Sequence, residues 1–179
     1  MLLKNRENIS DKHQFGFSNY PIEKNANISD IFYKIILNFN KGNIYQGVVK
    51  LSFFIKSLSS YGTNFKLNYN GSSVKYVSVN GRVLEPNEIV YDNHGLFFDK
   101  NYLNEKQINK VEIIFENKYS FLDDGLASYF ILDESNKYSL KEQVIYTKNG
   151  PYEIERIIPC LNNLNECKVS LEIIYPQGF

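Results

Sequence analysis

The sequence predicts an all-β protein, an antiparallel β-sandwich of about ten strands. Three observations predict it. Apolar residues alternate with polar ones in segment after segment, the period of a half-buried strand. Turn signals recur every 8–12 residues, the spacing of a sandwich. The aromatic content, 15% and all of it Tyr and Phe with no Trp, sits beside Ile and Val, which suit pleated surfaces better than helix faces. Ala is scarce and Asn abundant, which disfavours a helical bundle.

At 179 residues and 43% hydrophobic, the chain suffices for one domain with a core. Residues 1–30 are polar and irregular, with Pro21 inside, and read as an N-terminal arm; residues 31–179 read as the sandwich domain. "IFYKIILNFN" opens it, with Ile31, Tyr33, Ile35, Leu37 and Phe39 on the apolar side. "KGN" turns the chain into "IYQGVVKLSFFIKS", where Gly47 suggests a bulge. "FKLNYN" and "VKYVSV" flank Asn70-Gly71, and a second Asn-Gly, Asn80-Gly81, follows. Asn-Gly accepts the positive φ values of a tight hairpin turn, so both are expected to close hairpins. "EIVYD" and "GLFFD" flank a further turn, and "YLNEKQ" reads as one helical turn. "NKVEIIFENKY", "LASYFILDE", "LKEQVIYT" and "CKVSLEIIYP" complete the strands.

Lys+Arg and Asp+Glu both number 20, so no basic field is available to collect phosphates, and no nucleic-acid partner is expected. No stretch approaches the ~20 apolar residues that span a bilayer, and "MLLKNRENISDKHQFGF" is not a secretory leader; no membrane partner is expected. Two cysteines without a leader predict reduced thiols and an intracellular, cytoplasmic protein.

The order of these segments resembles the N-terminal β-domain of the M1 zinc aminopeptidases. "YKIILNFNKGNIYQGVVKLSFFIKS" is similar to the family's opening hairpin, "VKYVSVNGRVL" to its next, and "KVEIIFENKYSFLDDGLASYFI" to the strand and Gly-Leu segment that follow. "YTKNGPYEIERIIPCLNNLNECKVSLEIIYP" resembles its most telling block, Tyr-Thr-Gln-x-Glu-Pro, then an Arg, then Phe-Pro-Cys-Phe-Asp-x-Pro, then a strand ending in Pro. The resemblance covers about residues 31–176. It implies a saddle-like sandwich that packs against a separate catalytic domain, which would be the partner, on the same or another chain. It also implies that Thr147, Lys148, Asn149, Gly150 and Pro151 form a loop facing peptide substrate in that domain's cleft.

The family's zinc belongs to the catalytic domain, where a His-Glu-x-x-His helix places two imidazoles one turn apart beside a base. This sequence has only His13 and His94 and no such motif, so it carries no catalytic residues, metal ligands or cofactor of its own. Lys148 and Gly150 stand where the family has Gln and Glu. The family's Glu binds the substrate ammonium, a charge-assisted bond of about 1.5–3 kcal/mol that neither replacement supplies. Asn162 and Leu164 replace the Asp and Pro after Pro-Cys. These departures open an alternative: a catalytically dead scaffold of the same ancestry, similar to the aminopeptidase-like subunit of general transcription, which binds protein partners.

Arg156, Pro159 and Cys160 are expected to form a structural joint, with the Arg156 guanidinium held bidentately by a carboxylate or carbonyls; the other reading of Arg156 is a substrate clamp. Cys160 and Cys167, at a spacing that fits no zinc knuckle, are expected to be buried structural thiols. Asp123 and Asp124 beside Gly125 read as a turn, not a calcium loop. His94 reads as a turn residue. The Tyr and Phe residues read as core, not as the exposed aromatic strip that a sugar-binding or adhesion sandwich needs.

Overall fold

The computed structural model describes residues 27–40, 42–92, 95–122, 125–132, 140–147, 154–161 and 166–175. The fold is all-β. Eleven strands are described: β1 Ile28–Phe39, β2 Ile44–Ile55, β3 Asn64–Leu67, β4 Ser73–Val79, β5 Arg82–Val83, β6 Ile89–Asp92, β7 Gly95–Asp99, β8 Gln107–Lys118, β9 Leu126–Leu132, β10 Leu140–Thr147 and β11 Cys167–Ile174. The helical turns among these residues are short and of 3₁₀ type, at Pro86–Glu88, Lys100–Tyr102 and Ile154–Arg156. The turn expected at "YLNEKQ" is thus two residues early. No described helix is long and apolar enough to cross a membrane.

Six strands form the main sheet in the order β11-β1-β2-β8-β4-β5. The pair β1/β11 is parallel, with Tyr33 opposite Val169, so the main sheet is mixed and not purely antiparallel as expected. Antiparallel neighbours can be joined by tight turns, but β1 and β11 lie at opposite ends of the described chain and no turn dictates their direction. A three-stranded sheet, β3-β7-β6, and a hairpin of β9 and β10 complete the fold.

Alternation fixes what faces inward. On β1 the buried row is Ile31, Tyr33, Ile35, Leu37 and Phe39, the row read from the sequence. The strand also extends back to Ile28, which is buried in the core, so the domain begins inside the stretch assigned to the arm. The inner face of the main sheet meets the three-stranded sheet through aromatic rings. Phe53 of β2 stacks on Phe65 of β3 with centroids 5.5 Å apart, and Tyr69, just beyond β3, packs edge-on against Phe115 of β8 at 5.3 Å. These four rings are core, while Phe32, Phe121, Tyr129 and Tyr175 are exposed, so the expectation of aromatic core holds for part of the set; ring contacts of this kind add about 0.5–1.5 kcal/mol each beyond burial.

Two turn expectations part ways. Asn80-Gly81 closes β4 onto β5 with φ values of 52° and 84°, both in the left-handed region, and pairs Val79 with Arg82. Asn70-Gly71 closes no hairpin: β3 pairs with β7 while β4 pairs with β8, so this segment crosses between sheets. Gly71 is needed there because the Tyr69 ring occupies the place of a Cβ. Gly47 likewise makes no bulge. It stays in register with Leu37 and Phe115, and the Phe115 ring lies where a Cβ would stand.

On the outer face of the main sheet, lysines are met by glutamates across three strand pairs: Lys34–Glu172 (4.0 Å), Lys50–Glu112 (3.1 Å) and Lys75–Glu116 (3.7 Å). All three are substantially exposed, which limits each to about 0–1 kcal/mol.

Candidate functional site

The segment between β10 and β11 carries the most distinctive residues of the sequence. Ile154–Arg156 makes one 3₁₀ turn, closed by Ile157 N–H donating to the Ile154 carbonyl at 2.9 Å. Ile157, Ile158, Pro159, Cys160 and Leu161 follow, all buried although none lies in a strand. Buried main chain outside a ladder must find partners elsewhere. Here the partners come from both sheets. Cys160 and Asn68 exchange reciprocal backbone bonds at 2.7 and 2.9 Å. Asn70 N–H donates to the Glu155 carbonyl at 2.8 Å. Leu161 N–H donates to the Tyr33 hydroxyl of β1 at 2.9 Å, and the Tyr45 hydroxyl of β2 donates to the Ile157 carbonyl at 3.1 Å. Asn117 of β8 donates to the Arg156 carbonyl at 2.7 Å and to the Tyr45 hydroxyl at 3.0 Å. Pro159 has no N–H to satisfy, which suits it to this position.

The segment that carries Arg156, Pro159 and Cys160 is thus tied by hydrogen bonds to β1, β2, β8 and the residues just after β3. At Arg156 the main-chain carbonyl accepts from Asn117, and the residue is exposed. The residues that do the fastening, Tyr33, Tyr45, Asn68 and Asn117, were not singled out from the sequence. Asn117 did carry a signal: it falls on the inward row of β8 after Val111, Ile113 and Phe115, a polar residue where the alternation calls for an apolar one.

Thr147 is the last residue of β10 and is exposed; its hydroxyl donates to the Gly125 carbonyl at 3.0 Å. Gly125 has φ 71°, and a Cβ added there would sit 3.2 Å from the Arg156 Cβ. Thr147 and Arg156, candidates from two different readings, thus converge on one glycine. Lys148, Asn149, Gly150 and Pro151 lie outside the described residues, as do His13, His94, Asp123, Asp124, Asn162 and Leu164.

Both cysteines are free, but only Cys160 is buried; Cys167 is exposed, which corrects the expectation of two buried thiols. Among the described strands β11 lies at the edge of the main sheet, and its inward row is exposed where that of its neighbour β1 is buried. The two cysteines line one apolar groove of about 230 Å³ with Tyr33, Ile35, Ile158 and Val169. Burial pushes the Cys160 thiol up to about 12, and the Glu155 carboxylate adds to the rise. At neutral pH it is a protonated, apolar group and a poor nucleophile. Burial likewise raises the Tyr33 phenol, against the lowering effect of the Leu161 N–H bond.

Among the described residues no three of His, Cys, Asp and Glu stand together as a metal site. What the arrangement offers is a buried, hydrogen-bonded segment with an apolar groove beside it. No protein-family model matches the chain, and no curated protein matches it.

Proposed function

We propose that this chain is the non-catalytic N-terminal β-domain of an M1-type aminopeptidase-like protein, a saddle-like sandwich that caps the cleft of a catalytic domain. The observation that supports it is the role of the segment resembling the family's most specific block. The block around Pro159-Cys160 is fastened to both sheets, between β10 and β11, and leaves Thr147 at the exposed start of the loop that the resemblance assigns to the substrate cleft. The other blocks follow as elements in the same order: β1–β2, β4–β5, then β8 with β9. The domain would position 147–151 over the cleft. Zinc and the hydrolysis of N-terminal residues from peptides would belong to the catalytic domain. The free thiols of Cys160 and Cys167 favour an intracellular, cytoplasmic setting.

Lys148 and Gly150 favour a second reading, a catalytically dead scaffold of the same ancestry that binds protein partners. A lysine ammonium repels the substrate's α-ammonium, and glycine offers it no carboxylate.

Sequencing the transcript beyond the codon for Phe179, and the proteins that copurify with the chain, tests both. An intact His-Glu-x-x-His in a catalytic-type domain supports the first reading, and an eroded motif in such a domain supports the second. A protein with neither, on this chain or a bound one, overturns both. Zinc-dependent turnover of aminoacyl anilides by this chain alone also defeats the assignment.

A further inference from the structure

We propose that β11 is a self-complementary edge through which two copies of this chain pair antiparallel, Ser170 against Ser170, joining their main sheets into one. The inference stands on β11 itself and does not depend on the aminopeptidase reading.

The strand is built to be covered. It is the outermost strand of the main sheet, and all eight of its residues are exposed. Cys167, Val169, Leu171 and Ile173 lie in register with Ile31, Tyr33, Ile35 and Leu37 of β1, so they share the face that elsewhere forms the core. Those β1 residues are buried, whereas Val169 and Leu171 are each 56% exposed and Ile173 is 47% exposed. A long apolar edge with free backbone groups is a template for another strand, and proteins normally blunt such edges with charge, proline or a bulge. No proline or register shift interrupts the paired stretch of β11.

The sequence of the strand selects the occupant. In an antiparallel pair centred on Ser170, Lys168 of each copy faces Glu172 of the other, twice by symmetry. On the opposite face, Val169 meets Leu171 and Cys167 meets Ile173, so the apolar row continues unbroken into the second copy. Ile173 of the second copy then stands beside Cys167, at the rim of the groove that Cys167 and Val169 share with Tyr33 and Ile158. The interface is isologous, as a two-fold axis demands. The charge pairing also continues the sheet's own rule, since each of three internal strand pairs sets a lysine against a glutamate on this same outer face. Lys168 is left without an ion pair among the described residues. A parallel pairing in register sets Lys168 on Lys168 and Glu172 on Glu172, which like-charge repulsion disfavours.

Sedimentation velocity on the full 179-residue chain across the micromolar range tests this. The expected result is a concentration-dependent dimer. Leu171→Lys, at an exposed position that leaves the buried core untouched, is expected to return the chain to monomer with its circular-dichroism spectrum unchanged. Lys168→Glu sets four carboxylates across the axis and is expected to weaken the dimer about tenfold. The double variant Lys168→Glu with Glu172→Lys restores both pairs across the axis, gives up the exposed Lys34–Glu172 pair within each copy, and is expected to bind more tightly than Lys168→Glu alone. A chain that stays monomeric throughout the range, as it will if residues 1–26 or another protein occupy this edge, overturns the proposal. So does a dimer that Leu171→Lys leaves intact, or a double variant that dimerises no better than Lys168→Glu alone.

Discussion

Asn117 on β8 donates from one amide nitrogen to the Arg156 carbonyl, 2.7 Å away, and so pins the segment between β10 and β11 to the main sheet. The same nitrogen reaches the Tyr45 hydroxyl at 3.0 Å, and the amide oxygen accepts from the Ser72 hydroxyl at 3.1 Å. One buried side chain therefore joins three parts of the chain. Replacing it by Ala leaves the part-buried Arg156 carbonyl without this donor. Asn117→Ala is expected to cost about 1–3 kcal/mol, read as a lower denaturant midpoint at unchanged slope. A cost within error of zero removes the joint from the account of this fold.

Gly47 and Phe115 face each other across β2 and β8, and the ring fills the space of the missing side chain. Gly47→Ala forces the ring to move in a core that also holds Tyr45 and Tyr69 against it. The expected cost is about 1–3 kcal/mol. Combining it with Phe115→Leu is expected to give a loss smaller than the sum of the two single losses, because the ring that clashes is gone. Gly62→Ala, where a Cβ meets nothing within 4 Å, is the control and is expected to stay within about 0.5 kcal/mol of the parent. Strict additivity of the Gly47 and Phe115 variants would mean that the ring does not set the requirement for glycine.

The long strands β1, β2 and β8 were legible because each carries its period in its own residues. The inward row of β1 could be read from Ile31 to Phe39 without knowing any partner. The turn at Asn80-Gly81 was legible for the same local reason, since positive φ at both positions is a property of those two residues. Asn70-Gly71 has the same letters, but its flanking strands find β7 and β8, a choice made by distant contacts. The parallel direction of β11 was hidden likewise. The polar pins were half legible. β8 has an asparagine at each end of its inward row, Asn109 and Asn117, and an asparagine on an apolar row signals a buried partner. Which loop each one holds depends on the fold: Asn109 accepts from Asn104 N–H at 2.7 Å and from the Asn80 amide at 2.9 Å, while Asn117 holds Arg156.

The two cysteines share a groove but not an exposure, and their chemistry should separate accordingly. Cys167 is open to solvent, whereas Cys160 is buried with its thiol pushed up to about 12. Native-state alkylation near neutral pH is expected to modify one thiol rapidly, assigned to Cys167 by peptide mass. Cys160 is expected to react only at the rate of local opening, and as fast as Cys167 once denatured. Asn117→Ala, by loosening the joint, is expected to speed the Cys160 reaction selectively. Equal rates for both thiols in the native chain would contradict the burial of the Pro159-Cys160 step.

Four tyrosines, Tyr33, Tyr45, Tyr69 and Tyr119, have phenols raised above 10.0, in each case chiefly by burial. In the unfolded chain these groups ionise near pH 10; in the folded chain Tyr119 ionises only at about 12 and the other three higher still. Below the unfolded value both states hold the proton and the contribution to stability is complete. Above it the unfolded chain releases protons that the folded chain keeps, so stability falls as pH rises towards the folded values. The slope is about 1.4 kcal/mol per pH unit for each tyrosine ionised only when unfolded. Stability is therefore expected to be insensitive to these groups at neutral pH and to drop steeply above about pH 10, with tyrosinate absorbance rising together with loss of β-structure. Tyr69→Phe isolates one group. It keeps the ring against Phe115 and gives up only a long bond of 3.4 Å to the Glu116 carbonyl, so its neutral-pH cost is expected to be small and its alkaline slope shallower than the parent's. A parent chain whose tyrosines ionise near pH 10 without unfolding would show that these phenols reach solvent, and the packed interior between the two sheets would have to be redrawn.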